Sequence, residues 1–173
     1  EAVRAEKAYA PLLSALLEDY RAVSREGPVS AVRFSEYIIY QETGSRKKYE
    51  AAYFARRKRL NTYALMALVY PEEGEHLLQL QDTVWAICDE YTWALPAHIA
   101  WRTGRDPGCI DLFSAETGFA LSMIRHLLGD RLHEKMKERI DWEINRRIIR
   151  PFLYRRFWWE HSNNNWAAVC AGS

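Results

Sequence analysis

The stretch Trp158–Ser173, WWEHSNNNWAAVCAGS, holds the densest set of residues that could do chemistry. Three asparagines, Asn163 to Asn165, stand between the Trp158-Trp159 pair and Trp166, with His161 just before them. An amide needs several hydrogen-bond partners, so an asparagine run suits a wet groove better than a core. Indole walls around it suggest a site for a sugar, with amides on hydroxyls or a carboxylate and flat rings over apolar faces. The same residues also suit an ordinary capped loop over buried tryptophans, because asparagine accepts from the orphan N–H groups of a helix start. His98 is the second centre of interest. It follows Trp93 by five residues and lies beyond Pro96 in TWALPAH. A loop histidine beside aromatics can carry a proton or touch a ligand. It can equally be structural and bond a loop carbonyl. His161 is open to the same two readings.

Other chemistries find little support. The chain has no glycine-rich phosphate loop, HExxH or GxSxG. No two of its five histidines share ligand spacing on one helix face, so neither a metal nor another cofactor is expected. Cys88, Cys109 and Cys170 are widely spaced and form no CxxC pair, which points to reduced thiols. Lys and Arg number 24 against 23 acids, so overall charge favours no class of partner. The basic run Arg46 to Arg59 reads as a solvated helix face or a weak polyanion site, and nucleic acid is not expected as a partner. No apolar run reaches membrane-spanning length, and no signal peptide is visible. Compartment stays open.

The elements that must position these residues read as helices. A helix is expected over 2–25, with Leu12, Leu13, Leu16, Leu17 and Tyr20 inward, a kink or split at Pro11 and a stop at Gly27-Pro28. A short one falls around Phe34–Tyr40, then a break at Thr43-Gly44-Ser45. Ser45 is placed to cap a long helix from Arg46 to Tyr70. Pro71 with Glu72 and Glu73 is placed to open the next, reaching about Tyr91. Residues 101–113 read as a loop. Ser114 to Leu128 and Arg131 to Ile149 follow as helices, the second interrupted by Pro151. No stretch alternates with a two-residue period, so the fold class is all-α, with helices paired as antiparallel hairpins. With 49% hydrophobic and 13% aromatic residues the chain is expected to fold as one domain over 1–173. It starts without Met and stops inside a helix, and it reads as a piece of a longer multidomain protein.

Four blocks, YTWALPAH, IDLFSAETGFAL, EINRRIIRPFL and NNNWAAVCAGS, together resemble the helical domain of the heparinase II/III-like polysaccharide lyases. They come in the family's order with similar spacing, from about residue 45 to the end. The resemblance implies an incomplete α/α toroid of helical hairpins and β-elimination on an acidic polysaccharide containing uronic acid. In that reaction a neutral amide on the uronate carboxylate stabilises the enolate-like transition state. A Tyr or His then takes the C5 proton, and a Tyr protonates the leaving oxygen. Many relatives use an asparagine followed by histidine, with the tyrosine about fifty residues later. The motif places Asn165 on that asparagine, with Asn164 beside it. Trp166 stands where those relatives have histidine, and the tyrosine would fall beyond Ser173. No base is assigned, although His98 or His161 could supply an imidazole. Trp93, His98, Glu116, His161 and Trp166 are expected to line the groove. The chain alone is expected to be inactive and to form a homodimer through the surface that missing hairpins would leave bare. The alternative is a non-catalytic helical carbohydrate-binding or scaffold module, which Trp166 at the histidine position favours.

Overall fold

The computed structural model describes residues 2–99 and 108–173. The described residues are all-helical, without a strand. Much of the loop expected over 101–113 lies outside them. Pro11 does split the N-terminal run. Short turns at Ala2–Ala5 and Lys7–Tyr9 precede α1 (Ala10–Arg25), where Pro11 occupies the first turn, as its missing N–H allows. Only Val23 of α1 is fully buried, and Leu12 is 68% exposed, so the expected leucine face is only partly covered. Two short helices, Phe34–Tyr37 and Ile39–Thr43, end at Gly44 with φ 73°, the left-handed conformation glycine adopts without strain.

The long helix α2 (Lys47–Val69) packs along α3 (Gly74–Cys88) and against α1. Arg46 is its N-cap and makes no side-chain cap bond, so Ser45 does not cap it. Pro71 lies in a turn, three residues before α3 begins. Helix α4 (Leu112–Leu128) starts earlier than Ser114, because Asp111 caps it. Its carboxylate accepts from Ser114 N at 2.8 Å while Ser114 Oγ accepts from Asp111 N at 2.8 Å. Helix α5 (Glu134–Ile144) runs through a π turn, Asn145–Ile149, into Arg150–Tyr154. Pro151 sits in the first turn of that last piece and does not break the rod. Helix α6 (Trp166–Gly172) packs on α4, and α5 bridges α3 and α4.

The main core joins Leu60, Ala67, Leu80, Val84, Ile87, Leu121, Leu128 and Ile140 from α2 to α5. Truncating a side chain as deeply buried as Leu80 costs about 2–5 kcal/mol. The basic run is a solvated face only in part: Arg46, Lys47, Lys48 and Lys58 are exposed, and three arginines turn inward. Arg56 and Arg59 are buried, and the side chain of Arg57 is only 13% exposed. Arg59 donates to Val23 O at 3.0 Å and Gln79 Oε1 at 3.0 Å, which ties α1, α2 and α3 together. Arg147 of the π turn donates to the carbonyls of Cys88 at 3.0 Å and Glu90 at 2.6 Å, closing the C-terminus of α3 from outside. No helix among the described residues is long and apolar enough to cross a membrane.

Candidate functional site

The segment after α3 is held by Tyr53 of α2, Asp111 at the cap of α4 and a backbone carbonyl of α3. Trp93 Nε1 donates to Ile87 O at 2.9 Å. Tyr53 Oη lies 3.1 Å from the carbonyls of Trp93 and Phe113 and 3.1 Å from Thr117 Oγ1. Leu95 N donates to Asp111 Oδ2 at 3.0 Å. These bonds fix the short Pro96–His98 turn and bring His98 over the start of α4.

There His98 Nδ1 lies 2.8 Å from Asp111 Oδ2. Asp111 is fully buried, and its oxygens also accept from two backbone amides, so it remains the acceptor and Nδ1 carries the proton. Nε2 then presents its lone pair, and Arg46 Nη2 donates to it at 3.2 Å. Arg46 also bonds Glu50 Oε1 through Nε at 2.6 Å. The His98 ring stacks on Phe113, centroids 5.8 Å apart, and meets Trp166 edge-on at 4.9 Å. Trp158 leans on Trp166, also at 4.9 Å. An imidazole held in one tautomer by a buried carboxylate can accept a proton at its other nitrogen once an anion draws the guanidinium away from it.

The asparagine run forms the rim next to Trp166. Asn164 Oδ1 accepts from Trp166 N and from Ser162 Oγ, each at 3.0 Å, so it closes the α6 start. Asn165 is exposed and makes no side-chain cap bond, which leaves its amide available. The structure therefore brings His98 against Trp166, whose backbone amide Asn164 holds. It does not bring all the expected residues there. Trp93, at 1% exposure, is a core residue and lines no groove; its only polar atom is spent on Ile87 O. Glu116 is exposed on α4. With burial as the main cause, it and Asp111 help push the Cys170 thiol up to about 12. His161 is exposed at the end of the Trp158–His161 turn.

No family model matches the chain, and no curated protein matches it either. The site thus rests on its own geometry. Two of its members, Arg46 and Asp111, were not singled out in the sequence. The aspartate had a local signal, since Asp111 stands three residues before Ser114 at the start of an apolar helical run. Arg46 had none, being one of a basic cluster far from His98 in sequence. Among the described residues no group of three or more side chains is arranged to hold a metal ion.

Proposed function

We propose that the chain is the helical part of a polysaccharide lyase that cleaves a uronic-acid-containing polymer by β-elimination, its helices forming part of an α/α toroid. The observation that carries this reading is the Arg46–His98–Asp111 array beside Trp166 and the free amide of Asn165. In the proposed step the uronate carboxylate meets the Asn165 amide and the Arg46 guanidinium. Both stabilise charge as it moves onto the carboxylate. His98 Nε2 takes the C5 proton, and Asp111 stabilises the imidazolium that results. The C5–H electrons form the C4–C5 double bond, the C4–O bond breaks, and the leaving oxygen takes a proton. The tyrosine for that protonation is proposed to lie beyond Ser173, so the 173-residue chain by itself binds without turning over.

Ultraviolet absorbance of the unsaturated product, measured over a panel of acidic polysaccharides, tests the reading. In the longer protein, Asn165→Ala and His98→Ala should each lower kcat by about 10²–10⁴-fold with a smaller change in KM. Undiminished turnover in Asn165→Ala would place the carboxylate site elsewhere. Robust activity from the 173-residue chain would remove the need for the further tyrosine.

A binding-only module is the second reading. It is favoured by the contact that Arg46 makes with His98 Nε2, which occupies the lone pair a base would need. Under it, acidic oligosaccharides bind, no product forms in the longer protein, and His98→Gln changes affinity little. The proposal includes a symmetric dimer through the exposed apolar stripe of α2 and α4, where Leu65, Leu68, Phe119, Met123 and Leu127 line one groove. Light scattering that shows a monomer at high concentration would remove the dimer.

A further inference from the structure

A separate cleft of about 700 Å³ opens between the 29–34 segment and the outer face of α3. That volume is in the range of small-molecule sites. None of His98, Asp111, Asn165 or Trp166 lines it. Its walls are aromatic: Phe34, Tyr37, Tyr49, Trp85 and Tyr91. Trp85 is 44% exposed, and the Arg139 guanidinium lies 5.2 Å from its ring centroid.

One polar atom on this cleft is unfinished. Glu90 is buried, and its Oε1 receives both arginines of α2, with Arg57 Nη1 at 2.5 Å and Arg56 Nη2 at 2.8 Å, the latter off the hydrogen-bonding direction. Its Oε2 has no partner among the described residues. The buried ring of Tyr49 lines the same cleft. A buried acceptor left unpaired is destabilising, so Oε2 is a place where an incoming donor gains.

Charge narrows the donor. An anion in the cleft meets Asp82, Asp89 and Glu90. A cation meets Arg33 on the lining, Arg139 paired with Asp89, and Arg56 and Arg57 behind Glu90. A neutral O–H faces neither penalty. Asp82, Glu90 and Tyr49 offer several acceptors on one cleft, so a ligand with several hydroxyls satisfies them where a single phenol cannot. The aromatic walls call for a flat apolar face on the same molecule. We propose that this cleft is a binding site for a neutral pyranose, a second saccharide site apart from the His98 rim. The inference rests on the cleft and not on the lyase reading.

Three sugars of one ring shape and different charge test it: methyl β-glucoside, glucuronate and glucosamine, with cellobiose as a longer neutral probe. The readouts are the nuclear magnetic resonance signals of the Trp85 indole N–H and of the Asp82 and Tyr91 amides in the full chain. Saturable shifts are expected with the neutral sugars at millimolar concentrations, and at least about tenfold weaker binding of glucuronate and glucosamine. Trp85→Ala, at an exposed position, should abolish the Asp82 and Tyr91 shifts. Tyr49→Phe, which keeps the ring, should weaken binding about threefold to tenfold. Cellobiose binding more tightly than the glucoside would point to a chain of neutral residues, and equal binding to a single free sugar. The proposal is overturned if either charged sugar binds as well as the neutral ones, or if no sugar moves these signals at about 50 mM, well past a millimolar Kd. No lyase activity enters this assay, so its failure leaves the lyase reading untouched, and the converse holds.

Discussion

Glu143 and Glu90 are both buried carboxylates that face arginines, and they end in opposite states. Glu143 is fully buried and both its oxygens are used. Arg139 reaches Oε1 at 3.1 Å, while Arg146 and Arg147 reach Oε2 at 2.7 and 2.5 Å. Glu90 uses one oxygen for two arginines and leaves the other without a partner among the described residues. The first lies inside the α3–α5 packing, where no ligand could reach it. The second lines an open cleft. A buried ion pair is weak evidence for stability in itself, but removing one partner strands the other. The contrast therefore separates a carboxylate that organises the fold from one with capacity left for a visitor.

The largest effect should follow from Glu143→Ala. It strands Arg147, whose side chain is 5% exposed and which closes the end of α3. The loss should be about 3–5 kcal/mol in urea denaturation. Glu90→Ala should cost less, about 1–3 kcal/mol, because water entering the cleft can solvate Arg56 and Arg57. Equal losses would mean that the cleft is closed to water and that Glu90 organises the fold as Glu143 does.

The same helix shows how much the sequence revealed. Its helical character was legible, and so was the all-α class, because proline, glycine and period agreed along the chain. The inward turn of Arg56 was legible in principle. Tyr49, Tyr53, Arg56, Leu60 and Tyr63 follow one another at spacings of four and three, a single buried line with an arginine in it. Composition argued the other way, since a run of basic residues is usually solvated. What no local pattern could show was the partner, because Glu90 lies a helix away. His98 was visible as a loop histidine behind Pro96, whereas Arg46 and the orienting role of Asp111 depend on tertiary contact. Trp93 failed as a groove residue for the related reason that aromaticity does not tell a wall from a core.

Tyr53 carries the comparison to alkaline pH. Burial pushes its hydroxyl up to about 12 from an ordinary 10.0. The folded state therefore holds this proton more tightly than the unfolded chain does. Stability is intact below pH 10 and falls as the pH rises through 10 to about 12, where the unfolded state has already lost the proton. Tyr53→Phe should flatten that part of the curve. It should also lower stability at neutral pH by about 1 kcal/mol, through the bonds to Trp93 and Phe113. A stability curve between pH 9 and 12 with the same slope in both proteins would assign the alkaline loss to other groups.

The smallest effect sets Asn164 against Asn165, which repeat the Glu143 and Glu90 contrast at the rim. Asn164 Oδ1 has two partners, Ser162 Oγ and Trp166 N, and the second secures the first turn of α6. Asn165, the next residue, is exposed and has no cap bond. Asn164→Ala should cost about 0.5–1 kcal/mol and loosen the Trp166 contact with His98, visible in thermal melts and in tryptophan fluorescence. Asn165→Ala should change stability by less than about 0.5 kcal/mol. Under the proposed function the order reverses for turnover, because the free amide is the one proposed to meet the uronate carboxylate. If Asn165→Ala proved the more destabilising of the two, the side chain would be holding the fold. Its place as the spare amide of the site would then be lost.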